Sequence, residues 1–248
     1  MKETDICDTV LETERLSSID NLSSSEQSMR SVNWIIIVCI LSSQLVWYTS
    51  LYEKDLMLGY LAFSRDSVLQ GRVWTPVTAL FLHNDLLHLG GNMIFLYVFG
   101  NTLEKEVKST KTLVAFFTGG ILSFFLSSFF YDPGTPMIGA SAAIFTLASA
   151  VMLVKPLKFS LFFLMPLGLV AVIYLVYNVV AVYSNVQDNV AYISHVIGFV
   201  VGVPFGLSWS TDWKRNLLIA IGFLILYCIL QIYLIPIVLK NIQLPLPF

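Results

Sequence analysis

The sequence predicts an all-α, multi-pass membrane protein, and three observations support this fold class. Hydrophobic residues make up 56% of the 248 residues, and charged residues only 12%, whereas a soluble domain is about 25% charged. The mean hydropathy is +0.77. Apolar runs of about 20 residues, the length that crosses a bilayer as a helix, recur along most of the chain.

Seven segments fit this length. They are residues 32–48, 76–99, 113–130, 138–154, 159–180, 190–209 and 217–239. Pro166 is expected to kink the fifth helix. We expect a six-helix core over residues 32–210, followed over residues 211–248 by a cytosolic linker, a seventh helix and a short outer C-terminus. Residues 1–31 are rich in Ser, Glu and Asp and are predicted to be a disordered cytosolic tail.

Basic residues predict the orientation of the helices. Ten of the 14 Lys and Arg residues fall on one side of the predicted bundle and four on the other. Because cytosolic loops are enriched in Lys and Arg, the N-terminus is expected inside the cell and the C-terminus outside. A multi-pass protein of the cell membrane is therefore predicted, with the lipid bilayer as its surroundings.

Charge and cysteine content disfavour several function classes. The net charge is −2, and no basic cluster resembles a phosphate-binding face, so a nucleic-acid partner is not expected. The three cysteines, Cys7, Cys39 and Cys228, are scattered without the spacing of metal ligands. No metal and no cofactor are therefore predicted.

Five polar residues stand out because polar groups inside apolar segments are costly and often functional. They are His83, His88, Asn92, Ser141 and His195. Ser141 and His195 are expected about three and five residues into the fourth and sixth helices, within about 10 Å of the outer face. His88 and Asn92 are four residues apart and share one face of the second helix. These positions predict one shared cavity in the outer half of the bundle.

A serine becomes a nucleophile when a base takes its proton, and histidine is the usual base. The residues therefore predict a Ser141–His195 dyad. Asp188 is the acid nearest to His195 in the sequence, but it looks like an exposed loop residue, so a dyad is favoured over a triad. Asn92 and His88, with the Ser141 N–H near its helix start, could donate hydrogen bonds to an oxyanion.

Small residues at four-residue spacing accompany both members of the predicted dyad. Gly198 and Gly202 follow His195, and Gly139 and Ala143 flank Ser141. Such faces let helices approach closely in membranes. We expect them to bring the fourth and sixth helices together.

Two other interpretations stay open from the residues alone. His83, His88 and His195 could supply three nitrogens to a metal, although a five-residue spacing puts the first two about 140° apart on a helix. A small transporter would instead show inverted repeats and broken helices near the midplane. No clear repeat is visible, and the polar residues cluster toward one side.

Four motifs, in order over residues 71–202, resemble those of rhomboid intramembrane serine proteases. The segment from His83 through His88 to Asn92 resembles the family's HxxxxHxxxN, and residues 100–104 resemble the glycine and Leu-Glu that close the second helix. Gly139-Ala140-Ser141 resembles the start of GxSG. His195 with its two following glycines resembles HxxGxxxG. The seventh helix resembles the six-plus-one form of the family.

The resemblance implies an endopeptidase that cuts single-pass transmembrane proteins in or near their membrane segment. It implies that substrates reach the site between helices two and five. Ser141 would be the nucleophile and His195 the general base, while His88 and Asn92 would stabilise the oxyanion. Among the supporting residues that the resemblance implies are His83, whose role would be structural or water-retaining, and Phe145, which would stack under the histidine. Gly139, Gly198 and Gly202 match the family's glycines.

Two features depart from the family pattern: the first-loop Trp-Arg pair, since Trp74 is followed by Thr75, and the glycine that follows the serine of GxSG. Ala142 stands where GxSG has its second glycine, and its methyl group is expected to narrow the space beside the nucleophile. This departure supports the alternative function, a catalytically inactive rhomboid-like protein that binds membrane clients.

Overall fold

A computed structural model of the chain describes residues 29–49, 51–186, 190–234 and 237. Within these residues the protein is mostly helical, and each of the seven predicted segments overlaps one main helix. In chain order the helices are α1 Ser31–Tyr48, α2 Leu51–Leu61, α3 Arg65–Leu69, α4 Thr75–Thr78, α5 Leu86–Phe95, α6 Asn101–Val107, α7 Ser109–Ser127, α8 Ser141–Val154, α9 Leu167–Tyr183, α10 Tyr192–Trp209 and α11 Trp213–Ile229.

Five rods in the described residues are long and apolar enough to cross a bilayer. They are Ser31–Tyr48, Leu86–Val107, Ser109–Phe130, Tyr192–Trp209 and Trp213–Tyr233. Helices α8 and α9 are apolar but shorter, with 14 and 17 residues. The predicted all-α fold with apolar spanning helices is confirmed.

Helix α8 is the centre of the bundle. Eleven of its 14 residues are buried, and α7, α9 and α10 all pack against it. Its 14 residues rise only about 21 Å, less than the ~30 Å thickness of a bilayer's hydrocarbon core. A helix this short does not by itself cross the hydrocarbon core.

The predicted second helix was wrong at both ends. Instead of residues 76–99, a rod runs from Leu86 to Val107, with a π-helical turn Leu96–Gly100 between α5 and α6. The rod begins where it does because the Asp85 carboxylate accepts a hydrogen bond from the His88 N–H (2.8 Å) and caps the first turn. The preceding residues form only α4 and a 3₁₀ turn, Ala79–Phe81.

The fifth segment also differs from its prediction. Residues 159–166 are a short antiparallel hairpin, in which Phe159 pairs with Pro166 and Ser160 with Met165. Pro166 therefore does not kink a helix but directly precedes the first residue of α9, a position where its missing N–H leaves no helical bond unmade.

The remaining ends are closer to the predictions. The first helix is confirmed to within one residue, and the sixth begins at Tyr192 rather than residue 190. The fourth helix begins at Ser141 rather than residue 138, so Ser141 is its first residue. The seventh helix begins earlier, at Trp213, and its predicted end at residue 239 lies outside the described residues.

Three glycines of α10 let it lie directly against the backbone of α8. A methyl group on Gly198 would overlap the Ala142 carbonyl, and one on Gly202 would overlap the Thr146 carbonyl. The Thr146 hydroxyl also donates a hydrogen bond to the Gly198 carbonyl (2.8 Å) across this contact. Gly206 continues the same face one turn further, against Leu153. The close approach of these two helices was expected from the glycine spacing.

The partner face on α8 differs from the prediction. Gly139 lies before the helix and does not face α10, and Ala143 packs toward Gly120 of α7. Ala142 and Thr146 face α10 instead. The prediction failed because the helix starts two residues after Gly139, which changes the rotation assigned to each position.

The Glu104 carboxylate ties the start of α1 to the α6–α7 junction. It accepts hydrogen bonds from the backbone N–H groups of Ser31 (2.9 Å) and Val32 (3.1 Å). It also accepts one from the Ser109 hydroxyl, next to the left-handed residue Lys108 (φ 72°). This buried acceptor satisfies donors that the first turn of α1 would otherwise leave unpaired.

Candidate active site

A cavity of about 310 Å³ lies among α5, α8, α9 and α10. It contains four of the five polar residues singled out in the sequence: His88, Asn92, Ser141 and His195. Its other lining residues are mainly aromatic and aliphatic: Leu87, Gly91, Phe95, Phe99, Ile144, Phe145, Ala148, Val170, Ala171, Tyr174, Tyr177, Asn178, Val190 and Tyr192. A mostly apolar cavity with a few convergent polar groups is typical of a binding or active site.

Ser141 is held at the start of α8 by the chain that leads into it. Phe63 and Met137 exchange two backbone hydrogen bonds (3.1 and 2.7 Å), and the Gly139 N–H donates to the Ala79 carbonyl (2.9 Å). Gly139 has φ 117°, a conformation that favours glycine. As the first residue of the helix, Ser141 has a backbone N–H with no partner in its own helix.

One face of α8 lines the cavity. Ser141, Ile144, Phe145 and Ala148 follow the i, i+3, i+4, i+7 pattern of a single helical face. Ala142 lies on another face, is 1% exposed, and is not among the lining residues. The cavity lining thus gives no support to the expectation that its methyl group narrows the space beside Ser141.

The His195 ring is contacted on three sides. The Phe145 ring stacks on its face, with centroids 4.7 Å apart and planes 8° from parallel. The Tyr192 ring lies at its edge, at 6.5 Å and 87°. In the plane of the ring, Nδ1 lies 2.7 Å from the Asn178 Oδ1 of α9.

Ser141 and His195 lie at similar levels along their helices. Gly198 contacts Ala142, and Gly202 contacts Thr146. Each residue of α10 at this contact thus lies beside the residue of α8 that is 56 positions earlier in the chain, a constant offset. At that offset, Ser141 is two residues, or about 3 Å, from the level of His195. Both residues lie in the described part of the chain, and no hydrogen bond joins them there. Such bonds are often long before substrate binds.

Two side-chain nitrogens approach the segment that precedes Ser141. A methyl group on Gly139 would lie 3.0 Å from the His88 Nε2 and 3.8 Å from the Asn92 Nδ2. Among the described residues, the buried Asn92 Nδ2 has no hydrogen-bond partner. An amide donor left unpaired beside a serine is available to an anionic oxygen, as in an oxyanion hole.

His83 lies beside His88 but precedes α5, the helix that carries His88 and Asn92. Its ring centroid is 5.0 Å from that of His88, and its Nδ1 lies 3.1 Å from the Ser43 Oγ of α1. Its carbonyl accepts a hydrogen bond from the Trp47 indole (2.9 Å). Burial, with a smaller contribution from the His88 imidazole, lowers the pKa of His83 to about 3, so the ring is neutral at physiological pH.

His83 precedes α5, so the separation of about 140° that two residues five apart have on one helix does not hold for His83 and His88. Within the described residues, no cluster of three or more His, Cys, Asp or Glu side chains could hold a metal ion. Asp188, the acidic residue nearest to His195 along the sequence, lies outside the described residues.

Asn178, whose amide contacts His195, was not predicted from the sequence. The signal was present, because Asn178 is a buried amide within an apolar helix and therefore meets the criterion applied to the other five residues. Tyr192 was missed as well, since an aromatic residue at a helix start carries no comparable signal.

The geometry defines a multi-pass helical membrane protein with a cavity lined by a serine, two histidines and two asparagines. The Rhomboid domain profile matches residues 70–211, more than half of the chain. The chain belongs to the rhomboid family.

Three relatives carry protease names. The chain is 28% identical over 183 residues to rhomboid protease GluP of Bacillus subtilis (strain 168). This match covers 69% of this chain and 35% of that protein. The chain is 26% identical over 198 residues to rhomboid protease GlpG of Serratia proteamaculans (strain 568), covering 77% and 68%. It is 29% identical over 103 residues to GlpG of Salmonella choleraesuis (strain SC-B67), covering 41% and 36%. The matches thus span about a third of the Bacillus and Salmonella proteins.

Proposed function

We propose that this protein is an intramembrane serine endopeptidase that cleaves single-pass transmembrane proteins in or near their membrane segment. The observation behind the proposal is that His195 stacks on Phe145, which lies one helical turn after Ser141. All three residues line one cavity. The stacking contact holds the imidazole against the helix that carries the serine. The protease names of the relatives support the same reaction class.

The chemistry begins with proton transfer from the Ser141 hydroxyl to His195 Nε2 as the serine oxygen attacks the substrate carbonyl carbon. The tetrahedral oxyanion accepts hydrogen bonds from the Asn92 amide, the His88 ring and the Ser141 N–H. The C–N bond then breaks, and His195 gives its proton to the leaving amine. Water, activated by the same imidazole, releases the acyl group from Ser141.

Substrate access is proposed between α5 and α9. Leu87 and Phe95 of α5 and Tyr174 and Tyr177 of α9 all line the cavity. Their side chains are apolar or aromatic, as a transmembrane segment entering from lipid requires. The orientation with a cytosolic N-terminus, in the cell membrane, remains part of the proposal and follows from the distribution of Lys and Arg.

The test is cleavage of a single-pass model substrate by purified protein in proteoliposomes. Ser141→Ala should abolish cleavage. Ser149→Ala is the matched control, because Ser149 is a buried serine of the same helix that does not line the cavity, and it should retain cleavage. Persistent cleavage by purified Ser141→Ala would refute the proposal.

The alternative is an inactive protein that binds membrane clients, and the same experiment separates it. Such a protein would retain a client in wild-type and Ser141→Ala forms alike without producing fragments. The structure weakens the observation that favoured it, since the Ala142 methyl lies outside the cavity lining.

A further inference from the structure

The amide of Asn178 has one orientation that satisfies both of its contacts. Its Nδ2 lies 2.7 Å from the Tyr174 carbonyl oxygen, one turn earlier in α9. A carbonyl only accepts hydrogen bonds, so the nitrogen of the amide must face it. The amide oxygen therefore faces His195, and it lies 2.7 Å from the ring nitrogen Nδ1.

This orientation determines which nitrogen of the neutral imidazole carries the proton. An amide oxygen also only accepts, so Nδ1 must be the N–H donor of the His195 ring. In a neutral ring the other nitrogen then holds a lone pair. Nε2 is thus left as the basic atom, as the proposed attack by Ser141 requires.

We propose that Asn178 is a positioning residue that selects the His195 tautomer with its proton on Nδ1 and fixes the plane of the ring. This inference rests on the proposed function. Phe145 and Tyr192 restrain the face and edge of the ring, but stacking alone does not distinguish the two ring nitrogens. Among the contacts of the described residues, the one with Asn178 does so.

The hydrogen bond between His195 and Asn178 persists through each proton transfer, and its own proton stays on Nδ1. When Nε2 takes the proton of the Ser141 hydroxyl, Nδ1–H stays bonded to the Asn178 oxygen, whose dipole stabilises the resulting imidazolium. When Nε2–H later protonates the leaving amine, the ring returns to the same tautomer. Asn178 makes no contact with substrate in this scheme.

The first test reads the tautomer directly by ¹⁵N NMR of wild-type protein labelled at histidine. The chain has three histidines, and His83→Gln and His88→Gln variants assign the signals. For His195 we expect a protonated, pyrrole-type Nδ1 and an unprotonated, pyridine-type Nε2. In Asn178→Leu the proton should redistribute toward Nε2. A wild-type ring protonated on Nε2 would overturn the inference.

The second test is kinetic and uses a matched control. Asn178→Leu removes the acceptor at similar volume and should lower kcat about tenfold or more, with KM within about twofold. Asn178→Asp restores an acceptor and should recover most of that loss. Asn101→Leu is the control, because Asn101 likewise donates to the carbonyl four residues earlier (2.9 Å to Tyr97) and does not line the cavity. Its kcat should be that of the wild type.

The outcomes separate this inference from the proposed function. Cleavage by Ser141→Ala would refute the proposed serine protease mechanism whatever Asn178 does. Wild-type kcat in Asn178→Leu, with Ser141→Ala inactive, would refute the positioning role alone. An Asn178→Asp variant as slow as Asn178→Leu would also overturn it, because a structural role would not be rescued by an acceptor and a positioning role would. Should Asn178→Leu not fold, the wild-type spectrum still decides, because a His195 ring protonated on Nε2 overturns the inference.

Discussion

Because α8 and α10 approach each other closely, the effect of adding one methyl group between them can be worked out from interatomic distances. In Gly198→Ala, the new methyl group would lie 3.0 Å from the Ala142 carbonyl carbon and 3.2 Å from its Cα, and closer still to the carbonyl oxygen. Ordinary contacts begin near 3.4 Å. Since backbone atoms cannot rotate away as a flexible side chain does, the two helices must separate locally by about 1 Å.

Two consequences follow from this displacement. Crowding in a well-packed interior lowers the free energy of unfolding by about 1–3 kcal/mol. A 1 Å displacement between reacting groups lowers the rate by about 100-fold. Because Gly198 is one turn from His195 and Ala142 adjoins Ser141, we expect kcat/KM of Gly198→Ala to fall about 100-fold. The melting temperature should fall by about 2–4 °C per kcal/mol.

The assay is cleavage of a single-pass substrate in proteoliposomes, with thermal unfolding measured on the same preparations. Gly222→Ala in α11 is the control, since a methyl group there meets nothing within 4 Å; it should keep the wild-type rate, with a melting temperature equal to or above that of the wild type. A Gly198→Ala protein with wild-type kcat/KM would refute the argument that this contact aligns the serine with the histidine.

Two further predictions concern neighbours of the proposed dyad. Phe145→Leu keeps an apolar side chain but removes the ring under His195, and kcat measured on the same substrate should fall about 3–10-fold, matching the ~0.5–1.5 kcal/mol of an aromatic pair; an unchanged kcat would contradict this. Ala142→Gly changes a helical residue outside the cavity, so the free energy of unfolding should fall by up to about 1 kcal/mol while kcat/KM stays at the wild-type value. A tenfold faster Ala142→Gly enzyme would show that the methyl group does obstruct the site.

Hydropathy predicted the number of apolar segments well and their ends poorly, for a physical reason. An apolar run reports which residues avoid water, but a helix begins where its first N–H groups find a cap. Asp85 supplies that cap for α5, so the apolar residues before it form separate turns. At the other end, the rod continues through Glu104, whose carboxylate is satisfied by α1 and α7, a partnership that no local pattern reveals.

Site residues could be predicted where a polar side chain stands in an apolar helix. They could not be predicted where the role of a residue depends on how its helix is rotated about its axis. Ser141 and His195 stood out as polar residues in apolar helices, and they line one cavity. The faces of Gly139, Ala142 and Ala143 were misassigned because the start of α8 fixes the rotation of every later residue. Asn178 met the same criterion as the others, but its contact with His195 depends on how α9 packs against α10.

The most direct test of the central claim is covalent labelling of the intact protein in membranes with a fluorophosphonate, which reacts with activated serines. Peptide mass spectrometry should find the adduct on Ser141 in the wild type and in Ser149→Ala. Labelling should be lost in Ser141→Ala and strongly reduced in His195→Ala. An adduct on a different serine, or equal labelling of the wild type and His195→Ala, would contradict an active serine dependent on this histidine.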